Sequence, residues 1–335
     1  MIPALIELST RQLGVFTRAQ ALAVGTTDEE LKVNVARRRW CRIRRGAYTT
    51  SEVWSSASSE QRQVLGLQAA TLQLDAPVIG SHETAAALEE IELWEPSHDW
   101  IHVTRSDRSP RREGRIWHHQ TTLTAEDIVV VRGPRATSPI RTGLDVARYA
   151  LDHEHAVVAV DSALRVSGAS FSDRAAALET MRRLHLAQAD WPGARLAGGA
   201  VEAADPRCAS VGESRARVRL AEIGFPHPMS QVYVYDERGV LTGIADFALP
   251  EQKTLVEFDG RVKYGLDGLT PEAVSARMWA EKQREDLLRR LCWELARLVW
   301  SDLYQREVVA RILSDAGARA ARTGPLRGTY SLEPR

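Results

Sequence analysis

Two short apolar segments of the chain each carry carboxylates, and these acids are the strongest candidates for chemistry. Asp246 lies in the first segment, residues 242–249, and Glu257 and Asp259 lie in the second, residues 254–260. A turn of four residues separates the segments, which is typical of a β-hairpin. A carboxylate inside a buried strand is costly unless it is paired or binds a cation. The pattern therefore predicts two neighbouring strands that hold a cation.

The ligand types indicate which cation. Alternation along a strand places Glu257 and Asp259 on one face, and Asp246 from the neighbouring strand completes the set. Hard oxygen ligands suit Mg²⁺ or Mn²⁺ better than zinc. Such an ion lowers the pKa of a bound water and stabilises the charge that grows on a phosphodiester. We therefore predict that all three acids are metal ligands and catalytic residues.

Candidate catalytic cations follow the acids in the sequence. A helix is predicted over residues 271–291, with an apolar stripe that contains Arg284, while Lys282 points nearly opposite. The stripe consists of Ala273, Ala276, Ala280, Leu287 and Leu291. An inward arginine needs an anionic partner, either the acids or a phosphate. Arg284 and Lys263, which lies in the loop after the acids, are the preferred cations. A structural ion pair between Arg284 and Glu257 or Asp259, without metal, is the alternative.

Glu213 precedes this hairpin on a predicted helix, residues 211–223. It lies three residues after Ser210, so it either closes a capping box or supports the acids of the site. Both interpretations remain open at this point.

The first 50 residues carry a local basic cluster on a chain of zero net charge, with nine Lys/Arg against four acids. Such a cluster indicates directed contacts with phosphates, for which the guanidinium fork is suited. The alternative is a solvated basic helix end. The predicted DNA contacts are Lys32, Arg37, Arg38, Arg39, Arg42, Arg44 and Arg45.

The local pattern around these arginines predicts a winged helix-turn-helix. Thr27 and Glu30 form a capping box at the start of one helix, and Gly25 provides a turn after a preceding helix that begins at Thr17. An alternating basic segment, residues 40–49, turns at Arg45-Gly46 and predicts a two-stranded ribbon.

The elements define a multidomain α+β and α/β protein, since 335 residues exceed one ordinary core. The middle region mixes helices and strands, and its motifs carry no ligand spacing. His82 lies at a helix start, and alternation keeps His118 and His119 from facing one metal, so we assign this region no chemistry. The predicted divisions are a winged helix at 1–55, a middle domain at 56–185, an Ala/Gly/Pro-rich linker at 186–209, a nuclease-like domain at 210–320 and a flexible tail at 321–335.

The N-terminal half resembles the AbiEi-type antitoxins of abortive-infection toxin–antitoxin systems, over about residues 5–165. The residues that carry the resemblance are VFTRAQA (15–21), RRGAY (44–48), SHETAA (81–86), TSPIRT (137–142) and Leu144-Asp145. The resemblance implies a winged helix that binds DNA, often for autorepression, and a following domain that contacts a protein partner.

The C-terminal part resembles the PD-(D/E)XK nuclease superfamily, and most closely its very-short-patch-repair-like endonuclease domains, over about residues 208–304. The matching segments are GIADF (243–247), LVEFDG (255–260), Lys263-Tyr264, EKQRED (281–286), Trp293 and WSD (300–302). The resemblance implies a restriction-endonuclease-like α/β core, with Asp246 and Glu257 as metal ligands and Glu213 as a supporting acid. Asp259 stands where the superfamily has a lysine, which makes cleavage depend on another cation.

Composition narrows the class of protein further. Three cysteines without metal spacing, no long apolar segment and an N-terminus without a basic leader predict a cytoplasmic chain that spans no membrane. The expected function is a Mg²⁺- or Mn²⁺-dependent endodeoxyribonuclease in defence or repair, which binds DNA and can contact a toxin or another defence protein. The alternative is a non-catalytic antitoxin or repressor with a degenerate nuclease-like domain.

Overall fold

The computed structural model describes residues 2–74, 77–107, 109–225, 227–260 and 270–334. The chain divides into two compact units, Met1–Ala204 and Asp205–Arg335, which we name the N-terminal and C-terminal units. In the described part of the chain, no helix combines the length and the apolar character needed to cross a membrane. The structure is a mixed α/β protein, as expected from the sequence.

The N-terminal unit begins with short helices and a three-stranded antiparallel sheet of order β1-β3-β2. These elements are α1 (Pro3–Thr10), β1 (Phe16–Thr17), α2 (Arg18–Ala23), α3 (Asp28–Ala36), β2 (Trp40–Arg44) and β3 (Ala47–Thr50). The capping box expected from Thr27 and Glu30 is present, and Thr17 forms another with Gln20. Gly46 turns the ribbon with a φ of 78°. The two helices and the ribbon are therefore present, whereas their assignment as a winged helix-turn-helix stays a prediction.

The rest of this unit is a six-stranded sheet, of order β6-β7-β5-β4-β9-β8, with helices before and after it. Its elements are α4 (Ser51–Ser56), α5 (Ser59–Thr71), β4 (Ile79–Gly80), α6 (His82–Glu89), β5 (Ile101–Arg105), β6 (Arg111–Glu113), β7 (Ile116–Gln120), β8 (Ile128–Val130), β9 (Arg135–Thr137), α7 (Pro139–Tyr149), α8 (His153–Ser167), α9 (Phe171–Leu186) and α10 (Ala194–Ala203). Strands β5 and β7 are parallel neighbours in this sheet, and both carry histidines.

Helix α10 corrects part of the predicted linker, 186–209. Its composition suggested a loop, but Ala is the strongest helix former, and the helix buries Ala197, Ala200 and Val201 against α7, α8 and α9. The boundary between the two units lies at the end of this predicted linker.

The C-terminal unit is a five-stranded sheet of order β13-β12-β11-β10-β14 between helices. Its elements are α11 (Val211–Glu222), β10 (Met229–Tyr235), β11 (Leu241–Leu249), β12 (Thr254–Phe258), α12 (Pro271–Arg290), β13 (Glu294–Leu298), α13 (Arg306–Ala320) and β14 (Thr329–Ser331). Neighbours are antiparallel except β12 and β13, which are parallel. The predicted flexible tail is wrong at β14, because this strand pairs with β10.

Each face of this sheet has its own apolar core. On one face α11 and α13 pack through Leu220 and Leu313. On the other, Leu288 and Leu291 near the end of α12 pack on residues that include Leu255. Since side chains alternate along a strand, Glu257 shares the face of Leu255, and the carboxylates therefore lie on the α12 side of the sheet.

Candidate active site

Asp246 and Glu257 meet because their strands are adjacent. In the antiparallel pair of β11 and β12, Phe247 lies opposite Val256, so the next position brings Asp246 beside Glu257. Asp246 Oδ2 accepts a hydrogen bond of 2.7 Å from the backbone N–H of Phe258. The expected pairing of one acid from each strand is present in the structure.

Asp246, one of the three predicted metal ligands, has a pKa that is shifted from its ordinary value. Burial raises the pKa of Asp246 to about 6, the negative charges of Glu213 and Glu257 add to this effect, and the Phe258 N–H opposes it. The carboxyl is therefore poised between its protonated and ionised forms close to neutral pH.

Glu257 is held by arginines, which distinguishes it from Asp246. Arg284 Nη2 lies 2.6 Å from Glu257 Oε1, and Arg297 Nε lies 3.7 Å from Glu257 Oε2. Arg284 also binds Glu281, with contacts of 3.0 and 2.8 Å. The hydrogen bonds that Arg284 donates to Glu281, and then to Glu257, raise the pKa of Arg284 above its ordinary value. The ion pair that the sequence left open is thus formed, and Arg284 faces the site as expected.

The network also contains acids that sequence reasoning missed. Arg297 on β13 binds Glu281 at 2.7 Å and contacts Glu285. Glu281, Arg284, Glu285 and Leu288 recur at a helical spacing of three or four residues on α12, and this spacing is the signal that could have identified them.

The predicted apolar stripe of α12 is wrong. Ala273, Ala276, Ala280 and Leu287 are exposed, whereas Leu288 is buried. The inward face of this helix is charged over much of its length, because that face borders an open cleft instead of a core.

The cleft has a volume of ≈ 790 Å³ and opens to solvent. Asp246, Glu257 and Asp259 line it on the sheet side, and α12 contributes Arg284 and the exposed Lys282. A cleft with carboxylates on one wall and guanidinium groups on the other can hold an anion beside a proton acceptor.

Asp259 lies differently from the other two acids. Strand β12 ends at Phe258, so Asp259 follows it as an exposed residue whose N–H donates to the Leu298 carbonyl at 2.8 Å. The carboxylate oxygens of the three predicted metal ligands do not all lie within 4.8 Å of one another, since only His82, His102 and His119 form such a group in the described residues. Lys263, the preferred cation, lies outside the described residues.

Glu213 has a structural position. It accepts hydrogen bonds from Ala209 N–H at 3.0 Å, Ser210 Oγ at 2.9 Å and Gln231 Nε2 at 2.9 Å. The contacts with Ala209 and Ser210 cap the start of α11, and the contact with Gln231 joins this helix to β10. The negative charge of Glu213 also raises the pKa of Asp246.

The seven basic residues predicted to contact DNA divide into two groups. All are exposed except Arg44, and Lys32 lies 3.7 Å from Glu29. Arg44 is half-buried, burial lowers its pKa, and its Nη1 has no hydrogen-bond partner in the described residues. The exposed group is Lys32, Arg37, Arg38, Arg39, Arg42 and Arg45. The structure thus leaves six of the seven predicted DNA contacts facing solvent.

A scan against known protein families finds no family that matches this chain, and a search of curated proteins finds no match either.

Proposed function

We propose that the C-terminal unit is a metal-dependent endonuclease-type domain that hydrolyses phosphodiester bonds in DNA, and that the N-terminal helices and ribbon bind DNA. The observation that carries the proposal is the cleft in which Asp246 and Glu257, from adjacent strands, face Arg284. The order of elements supports it, since a helix acid precedes a strand Asp and a strand Glu, as in the superfamily that the sequence resembles.

The chain's own residues supply three parts of the chemistry. Asp246, with a pKa of about 6, accepts a proton from an attacking water near neutral pH. Arg284 and Arg297 bind the phosphate oxygens through their planar forks. Arg284 is pre-oriented for this contact by its hydrogen bonds to Glu281.

The donor set fits Mg²⁺ or Mn²⁺, with Asp246 and Glu257 as the residues that hold it. Both offer hard carboxylate oxygens. Glu213 and Glu257 repel the negative charge of Asp246, and a bound divalent cation would offset this repulsion. When bound, such an ion activates water and neutralises charge on the phosphate.

DNA contact by the N-terminal unit rests on exposed arginines at the end of α3 and on the ribbon. Arg37, Arg38 and Arg39 follow α3, and Arg42 and Arg45 belong to the ribbon region. No carboxylate among the described residues pairs with these arginines, and such permanently charged side chains suit the phosphate backbone of DNA.

A plasmid-nicking assay with the full chain tests the proposed hydrolysis. We expect nicking only with Mg²⁺ or Mn²⁺, and a loss of about 100-fold or more in Asp246→Asn and Glu257→Gln, because each removes a charge at the site. Asp286→Asn, which alters an exposed carboxylate on α12, is the control and should retain activity. Absence of nicking by the folded wild-type chain with either ion would reject hydrolysis.

The second candidate function is a non-catalytic DNA-binding regulator, such as an antitoxin, whose partner is a toxin or another defence protein. The ion pair of Glu257 with Arg284 favours it, because a carboxylate already neutralised by a cation has less need of a metal. A DNA mobility shift by a chain that never nicks DNA would support this function.

A further inference from the structure

Three histidines of the N-terminal unit converge although they are distant in the sequence. His82 is the first residue of α6, His102 lies in β5 and His119 lies in β7. All three are at least nine-tenths buried, and one ring nitrogen from each lies within 4.8 Å of the other two. We name these residues the histidine cluster.

The fold positions each ring for a physical reason. Strands β5 and β7 are parallel neighbours, with His102 opposite Trp117 and Thr104 opposite His119, so His102 and His119 share one face. The Ser81 N–H donates to the His102 carbonyl at 3.1 Å, which fixes the start of α6 beside β5. His82 itself has a φ of 51°, a left-handed conformation that a non-glycine residue keeps only when its surroundings hold it.

The nitrogens of the cluster are available as electron-pair donors. His82 Nδ1 lies 3.0 Å from Ser81 Oγ, and in the tautomer in which Nδ1–H donates to this hydroxyl, Nε2 is bare. His82 Nε2 is buried and has no hydrogen-bond partner in the described residues, an arrangement that costs free energy unless a ligand satisfies it. Burial lowers the pKa of His102 to about 4 and that of His119 to about 3, and the pKa of His82 is also lowered by burial. The rings are therefore neutral at pH 7.

We propose that His82, His102 and His119 bind a divalent transition-metal ion, with Zn²⁺ as the best-suited ion. Neutral imidazole nitrogens are ligands for zinc and its neighbours, whereas Mg²⁺ requires oxygen. Three protein ligands leave a fourth position open for water. The proposal does not rest on the function proposed for the C-terminal unit.

Binding requires a small rearrangement of the rings. His102 Nδ1 and His119 Nε2 are 2.9 Å apart, whereas two ligands of a tetrahedral zinc are about 3.3 Å apart, so the hydrogen bond between them opens. The ring that donates this hydrogen bond changes tautomer, which moves its proton to its other nitrogen and frees both facing nitrogens for the metal. The His82 ring stacks on His119 with 3.8 Å between centroids, so it must turn its edge toward the shared ion. Tyr149, an exposed residue, packs edge-on against both rings and places the cluster close to the surface.

The charges near the cluster are compatible with a cation only because they are compensated. Arg141 and Arg148 both bind the Asp145 carboxylate, at 3.0 and 2.5 Å. Arg112 lies over the Trp117 ring at 3.7 Å from its centroid. Arg141 Nη1 also lies 3.7 Å from Asp127 Oδ2, so these two positive charges face two carboxylates, while Arg112 lies over an aromatic face.

Titration of the untagged, chelator-stripped full chain with Co²⁺ tests the site. Co²⁺ replaces Zn²⁺ and absorbs visible light strongly in tetrahedral coordination, but only weakly in the octahedral coordination of the hydrated ion. We expect one equivalent to bind, to be displaced by Zn²⁺ and to be unaffected by excess Mg²⁺. His102→Gln and His119→Gln should weaken binding by about 100-fold.

Two control variants separate the outcomes. His118→Gln alters the adjacent histidine, which points to the opposite face of β7, and Asp246→Asn alters the carboxylate site; both should retain the absorption band. Circular dichroism checks that each variant is folded. A wild-type chain that gives no band, or a band that survives in His119→Gln, overturns the proposal, whatever the result of the nicking assay.

Discussion

The carboxylate cleft of the C-terminal unit and the histidine cluster of the N-terminal unit use burial in opposite ways. In the cleft, Arg284 contacts both Glu257 and Glu281, and its hydrogen bonds lower the pKa of Glu281, so that this carboxylate stays ionised. In the histidine cluster His102 and His119 contact each other and no carboxylate in the described residues, so burial keeps both rings neutral. Burial drives each titratable group toward its neutral form, and a contacting partner of opposite charge decides whether the group stays ionised.

The largest effect expected from this comparison is acid sensitivity of the histidine cluster. The pKa values of about 4 for His102 and about 3 for His119 lie below that of an unfolded histidine, near 6.5. The unfolded chain therefore binds more protons below pH 6.5, and the folded state loses stability as the pH falls. We expect a loss of about 4 kcal/mol between pH 7 and pH 5.

Hydrogen exchange of β5 and β7 peptides at both pH values measures this loss. His119→Gln removes one titrating ring, so its stability should change less with pH. An unchanged pH dependence in that variant would contradict the assignment of acid sensitivity to the cluster.

Next in size is the removal of the cation from the cleft. Arg284→Ala leaves Glu257, whose side chain is 13% exposed, without its closest partner. We expect a loss of about 3 kcal/mol in the free energy of unfolding of the C-terminal unit, because this buried carboxylate keeps only its longer contact with Arg297. In the double variant with Glu257→Gln much of this loss should be recovered, and Lys282→Ala, which removes an exposed cation from the same helix, should cost little. Denaturant unfolding of the wild type, Arg284→Ala, Glu257→Gln and the double variant gives the coupling energy between Arg284 and Glu257.

Glu89 on α6 extends the comparison, because it is an acid beside which the described residues place no cation. Burial raises the pKa of Glu89 to about 8, offset in part by the Thr142 hydroxyl. Since the folded chain binds more protons than the unfolded chain between pH 4.5 and 8, stability falls as the pH rises through this range. Glu89→Gln should therefore stabilise the protein by about 4 kcal/mol more at pH 9 than at pH 5.

The neighbouring Glu90 is the matched control for this substitution. It is exposed and pairs with the exposed Arg132, so Glu90→Gln should change stability little at either pH. Thermal unfolding of both variants at pH 5 and pH 9 distinguishes them, and equal effects of the two substitutions would show that burial of Glu89 does not govern its protonation.

The two regions also differ in how far the sequence could predict them. Asp246 and Glu257 stand out because a carboxylate within an apolar run is a local signal, and a four-residue turn places the two runs side by side. The direction of α12 was not predictable in this way, because its inward face borders solvent and carries Glu281 and Glu285 where a core helix would carry apolar residues.

The histidine cluster has no local signal at all. His102 and His119 meet through a parallel pairing of β5 and β7, and His82 joins them through the start of α6. The alternation of His118 and His119 was predicted correctly, but the partners of His119 come from strand register and helix placement. The spacings in the sequence, 20 residues from His82 to His102 and 17 from His102 to His119, indicate neither the strand register nor the helix placement.

The smallest expected effect is on DNA binding, and it concerns Arg44 and Arg45, two adjacent arginines that differ in burial. Arg45 is exposed at the ribbon turn, whereas Arg44 is half-buried and burial lowers its pKa. If exposed arginines contact DNA phosphates, Arg45→Ala should weaken DNA binding by about 1 kcal/mol and reduce the salt dependence by about one phosphate contact. Arg44→Ala should instead alter the stability of the N-terminal unit while the salt dependence of DNA binding stays close to wild type. Mobility shifts at several salt concentrations separate the two, and an equal loss of salt dependence in both variants would show that Arg44 also reaches the phosphates.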